Sequence, residues 1–178
     1  MSDVAREFGF TLNYRIPVGA DADGLVERLG EAGCTDALVG TGTPGRLALA
    51  FARQAPSAVE AVRTALADVK RAIPDAVLVE AQPDLVGLSD VAEMLGMSRQ
   101  NVRKLMLAHR DFPLPVHEGA SSLWHLSDVL AWFERRRGDA STHAELREVS
   151  AATLEVNLAA QARRYPLRPA ADLERLVG

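Results

Sequence analysis

A chain of 178 residues, 48% hydrophobic and only 5% aromatic, has room for one or two domains around a mainly aliphatic core. Its net charge of -4, pI near 5.6 and mean hydropathy of -0.01 argue against a non-specific nucleic-acid coat, and no apolar run is long enough to span a membrane. Cys34 is the only cysteine, which excludes an intrachain disulfide and a cysteine metal cluster and fits a reducing cytoplasm; the polar start MSDVAREFGF does not resemble a signal peptide.

In chain order, FGFTLNYRI (8–16) alternates apolar and polar residues and predicts a half-buried strand. After a turn over 17–23, Asp21 or Asp23 caps a helix that buries Leu25, Val26 and Leu29 and stops at Gly33. Residues 34–39 read as a short strand, Gly40 to Gly45 as a hairpin turn and 46–53 as the return strand. Pro56 and Ser57 open a long helix on which Val59, Val62, Leu66, Val69 and Ile73 recur at helical spacing, and AVLVEA (76–81) reads as a last strand. The order strand, helix, strand, strand, helix, strand predicts a ferredoxin-like βαββαβ domain over residues 1–83. The loop at Gly40 lies between strands and lacks a P-loop lysine, so it reads as a plain turn and not a phosphate cradle. Cys34 has no basic partner nearby in sequence and reads as a small buried side chain.

A short joint, QPDLVG (82–87), leads into LSDVAEMLGMSRQNVRKLMLAHR (88–110). Ser89 is the expected cap of a first helix carrying Val91, Ala92 and Leu95 inward; Gly96 turns the chain, Met97 bridges, and Ser98 caps a second helix with Val102 and Leu105 inward. That spacing predicts a helix-turn-helix. It turns Arg99, Gln100, Arg103 and Lys104 outward with Asn101 at the edge, and no carboxylate falls between Ser98 and Arg110. Arginine suits guanine and Gln or Asn suits adenine in a major groove, while Ser98 and Lys104 are placed for phosphate. The competing reading is an ordinary solvated helix face; the spacing across the turn favours DNA. Pro113 and Pro115 then forbid helix, EGASS (118–122) makes a small turn between PLPV and SLWHL, and Ser127 is the expected cap of a third helix that packs Val129, Leu130, Trp132 and Phe133. Leu85 to Arg137 carries seven Lys or Arg and six Asp or Glu, a net of +1 in an acidic chain, with the positive charge gathered at 99–110 and 135–137.

The motifs LSDVAEMLGMSRQNVRKL, FPLPV and W-x-x-SDVLAW, in that order, make residues 85–137 resemble the AlpA, excisionase and MerR group of winged helix-turn-helix domains. The resemblance implies that the helix beginning at Ser98 enters the major groove and that the hairpin is a wing along the neighbouring backbone or minor groove. The wing departs from the group in carrying Glu118 and two serines, with His117 and His125 its only potential cations, so no wing residue is assigned to DNA.

Gly138 to Ser141 breaks the third helix, Thr142 is the expected cap of a long helix with Leu146, Val149, Thr153, Val156 and Ala160 in a stripe, Tyr165-Pro166 ends it, and Pro169 precedes a last short helix. Residues 139–178 thus read as a helical tail that packs on its own chain or pairs with a second copy. The whole is an α+β chain: domain 1–83, winged helix-turn-helix 84–138, tail 139–178. It reads as a cytoplasmic, sequence-specific regulator of transcription, prokaryotic in type. Its expected partners are double-stranded DNA and a second copy of itself, with no membrane. Expected DNA-binding residues are Ser98, Arg99, Gln100, Asn101, Arg103 and Lys104. No carboxylate pair, triad or histidine spacing suggests an enzyme, a metal or a cofactor. The alternatives are an antitoxin-like or phage-type accessory protein whose N-terminal domain binds a protein partner, and a ligand-sensing regulator.

Overall fold

The alternation at the start of the chain becomes β1 (Arg6–Arg15), an inner strand of a four-stranded antiparallel sheet. The computed structural model describes residues 5–138, 143–167 and 171–177. Phe8, Phe10, Leu12 and Tyr14 are buried on one side of β1, while Glu7, Gly9 and Arg15 are exposed, as the two-residue period of a strand requires. β2 (Ala37–Gly40), β3 (Arg46–Ala55) and β4 (Val77–Gln82) complete the sheet in the order β2-β3-β1-β4. α1 (Ala22–Glu31) and α2 (Ala58–Ala72) cover the inward face, packing Leu25, Leu29, Val62 and Val69 against it. Ala58, Ala61 and Ala65 are wholly buried, and their small size lets α2 lie close to the strands.

Caps follow backbone chemistry. Asp21 accepts from the Asp23 amide, and Ser57 accepts from the Glu60 amide. At the end of α1 the Gly33 amide returns to the Gly30 carbonyl and the Cys34 amide to the Leu29 carbonyl, a Schellman closure with Gly33 at φ 98°. That closure holds Cys34 on the helix end, so β2 begins at Ala37 rather than at 34. Val26 and Val59, expected inside, face solvent; alanines take the inward positions of α2 instead.

The joint is not a plain linker. The Gln82–Pro83 peptide is cis, Asp84 is buried, and β5 (Leu85–Val86) pairs antiparallel with β6 (Trp124–His125). Because these short strands run straight into helices, the caps fall earlier than expected. Gly87, not Ser89, caps α3 (Leu88–Met94), with Asp90 accepting from the Gly87 amide. His125, not Ser127, caps α5 (Leu126–Arg137), and the Ser127 hydroxyl has no partner. α4 (Arg99–Ala108) lies between them, and Gly138 at φ 67° ends α5. Val86, Val91, Val102, Leu126 and Leu130 form a second core with Phe112, Trp124, Trp132 and Phe133. Within it Phe112 stands edge-on to both tryptophans, at 6.1 and 5.0 Å between ring centres.

α6 (Ala144–Arg164) does not stand apart as a tail. Val149 and Ala152 enter the first core, and Leu146 packs on the second. Its buried face is unusually polar, with Ser150, Thr153 and Asn157 inside. The short α7 (Ala171–Leu176) follows. The expected cap Thr142, the break over 139–141 and Pro169 lie outside the described residues. No helix among the described residues is long and apolar enough to cross a membrane.

Candidate nucleic-acid interface

The exposed edge of α4 is built by the turn before it. The Gly96 amide returns to the Glu93 carbonyl at 3.1 Å and the Met97 amide to the Ala92 carbonyl at 2.8 Å, the same closure that ends α1. Gly96 takes φ 62°, a backbone angle that costs glycine little. Half-buried Met97 packs on the second core, and the Ser98 hydroxyl accepts from the Asn101 amide at 3.2 Å to start α4. Val102 is then fully buried, with Leu105 and Met106 half-buried beside it, which fixes the rotation of the helix.

With that rotation Ser98, Arg99, Gln100, Asn101, Arg103 and Lys104 are all exposed. Among the described residues, none of Arg99, Arg103, Lys104 and Arg110 has an ion pair or a side-chain hydrogen bond. Unpaired cations on a helix without carboxylates leave a positive edge that can take phosphate charge or bond base edges. Arg147 of α6 pairs with Glu134 of α5 at 2.9 Å, and the Arg136 guanidinium lies 5.4 Å from the centre of the Trp132 ring.

The hairpin after α4 forms as the prolines and glycine suggest. The Val116 amide donates to the Leu123 carbonyl at 2.8 Å and the Leu123 amide to the His117 carbonyl at 3.0 Å. Trp124 Nε1 donates to the Pro113 carbonyl and Trp132 Nε1 to Asp111, so both indoles anchor this hairpin to α5. Leu114 and Val116 are exposed on it, beside Glu118.

Two of the module's histidines are half-buried among its own side chains. His125 Nδ1 lies 2.6 Å from Asp84 Oδ1, and the half-buried His109 ring lies 5.7 Å from that of Trp132. The Asp84 contact carries on through Asn157, whose amide donates to Asp84 Oδ2 at 2.7 Å and to the Ala81 carbonyl at 2.8 Å. No local signal marks this group, because its members are 41 and 73 residues apart.

In the N-terminal domain Cys34 is buried, and burial together with the nearby Asp68 carboxylate pushes its thiol pKa up, away from the reactive thiolate. Compared with protein-family models, with curated proteins and with solved structures, the chain matches none.

Proposed function

We propose that residues 84–138 form a winged helix-turn-helix that binds double-stranded DNA sequence-specifically, and that the chain regulates transcription. The observation that carries this reading is the pairing of a buried Val102 with six exposed neighbours whose cations have no partner. Arg99, Gln100 and Arg103 read bases; Ser98, Asn101 and Lys104 hold the backbone or base edges. The order α3, turn, α4, hairpin, α5 supports the likeness to the AlpA, excisionase and MerR group. The strand order β2-β3-β1-β4 with both helices on one face supports a ferredoxin-like N-terminal domain.

A second copy belongs to this reading, since one module of this size buries little surface for a selective site. The inward stripe of α6 is occupied by its own chain, which leaves the sheet face away from α1 and α2 for pairing. Selection of bound sequences from random DNA tests both halves: enrichment of a palindromic motif is the expected result, and no enrichment would overturn it. Within the selected site, Arg103→Ala should weaken binding by about 1–3 kcal/mol and relax one base position. Lys104→Ala should weaken all sequences alike and lower the salt slope by about one. Gel-shift titrations at two salt concentrations read both, and an unchanged affinity for Arg103→Ala would defeat the base-reading role.

A further inference from the structure

The N-terminal domain and α6 leave a cavity of about 770 Å³ between β4 and the C-terminal halves of α2 and α6. This lies within the roughly 300–1,000 Å³ of small-molecule sites. Its walls are aliphatic: Leu66, Val69 and Ile73 from the α2 side, Leu78 from β4, Val156 and Ala160 from α6. Its rim is basic. Arg15 ends β1, Lys70 stands on α2, and Arg163 and Arg164 close the last turn of α6, against the single carboxylate of Asp75.

Among the described residues Arg15, Arg163 and Arg164 have no ion pair and no side-chain hydrogen bond, and Lys70 gives its ammonium only to the Pro74 carbonyl. Arg6, Arg53, Arg63 and Arg71 of the same domain each meet a carboxylate, whereas Arg28 and Arg46, away from the cavity, do not. Tyr14 also lines the cavity; its side chain is buried and its hydroxyl has no hydrogen-bond partner among the described residues. Four cations and a spare hydroxyl around an aliphatic hollow fit one kind of occupant. The hollow favours an apolar body, and the rim favours negative charge at one end.

We infer that this cavity is a binding site for a small amphipathic acid, a carboxylate on an aliphatic body. A nucleotide or free phosphate would leave the aliphatic walls uncovered, and a neutral hydrocarbon would leave the arginines unpaired. The site belongs to the N-terminal domain and goes beyond the DNA reading; it holds whether or not α4 enters a groove.

The test uses the full chain with three probes of one length: octanoate, octanol and octylammonium. Thermal unfolding and isothermal titration should show saturable stabilisation by octanoate alone. Arg163→Gln combined with Arg164→Gln should lower the unliganded Tm only slightly, both side chains being exposed and unpaired, and weaken octanoate binding about tenfold. Ala160→Trp, which puts a bulky ring against the aliphatic wall, should block binding. The inference is overturned if octanoate gives no saturable response, if octanol binds as well, or if the double variant keeps full affinity. It is also overturned if Ala160→Trp removes a concentration-dependent self-association instead, which would mark the hollow as a contact between copies.

Discussion

Arg53 shows how one inward charge organises the N-terminal domain. It occupies an inward position of β3, with its side chain 8% exposed, where the alternation alone would place an apolar residue. Its guanidinium donates to Asp36 at 2.8 and 3.0 Å, to Asp68 at 2.8 Å, to Thr64 at 3.2 Å and to the Gly33 carbonyl at 3.3 Å. The fork thus ties the end of α1, the approach to β2 and the middle of α2 to one strand. The hydrogen bond from Arg53 holds the Asp36 carboxyl below the usual carboxylate range, against the opposing effect of burial. A lowered native pKa makes Asp36 stabilising above its unfolded value of about 3.9, and that contribution is lost as pH falls through the native value. Arg53→Met should cost about 3 kcal/mol at neutral pH, because it leaves the partly buried Asp36 carboxylate unpaired and Asp68 with Arg71 alone. It should also shrink the loss of stability between about pH 5 and 3, since Asp36 is then no longer held down. Urea unfolding at both pH values measures the two effects; parallel acid limbs in the two proteins would remove Asp36 from the account.

The turn between α3 and α4 is the element on which the exposed cationic edge of α4 depends. An added Cβ at Gly96 meets nothing within 4 Å, so the objection to a side chain there is the backbone angle alone. Gly96→Ala should therefore cost about 1 kcal/mol, and Gly96→Asn, which tolerates the left-handed region better, less. Hydrogen exchange at the Met97 amide, bonded to Ala92, should quicken in the alanine variant; equal protection in all three proteins would mean that the turn is not strained. Signals of this local kind were legible in the sequence. Gly33, Gly96 and Gly138 act within one turn of chain, and Asp21, Ser57 and Ser98 each cap within three residues. Ser89 and Ser127 misled because the true helix starts are set by β5 and β6, which pair across some forty residues without any local mark. Val26 and Val59 misled because a helical stripe read from apolar residues overlooks alanines, and Ala58, Ala61 and Ala65 are what the sheet admits. The outward face of α4 was legible, since Val102 fixes its rotation and no acid interrupts it. The basic rim was not, because Arg15 and Arg163 lie at opposite ends of the chain.

At the scale of the molecule, α6 makes one body of two cores. Near its start Glu148 accepts from the Ala58 amide at 3.0 Å and pairs with Arg6, while Arg147 reaches Glu134 on α5. Further on, the Thr153 hydroxyl donates to the Pro83 carbonyl at 2.6 Å. The Asn157 side chain accepts from the Ala81 amide at 2.7 Å and donates to the Ala81 carbonyl and to Asp84. Asp84 in turn touches His125 through its side chain and accepts from the Leu126 amide through its carbonyl at 2.8 Å. The sheet, the α3–α5 module and α6 therefore meet in one buried polar cluster beside the apolar contacts that α6 makes with both cores. Such a cluster specifies geometry, because a slipped packing strands the buried Asn157 amide and the Asp84 carboxylate. Asn157→Ala strands the Ala81 amide and carbonyl and leaves Asp84 Oδ2 without this donor, at a cost of about 3 kcal/mol. The loss falls on the junction and on neither core, since Asn157 belongs to neither apolar cluster. Calorimetry should accordingly show one cooperative transition in the parent and two in the variant, the module and the sheet domain melting apart. One transition merely moved to lower temperature would show that the cores are coupled by Val149, Ala152 and Leu146 of α6, and that the polar cluster only adds to what those apolar contacts already hold.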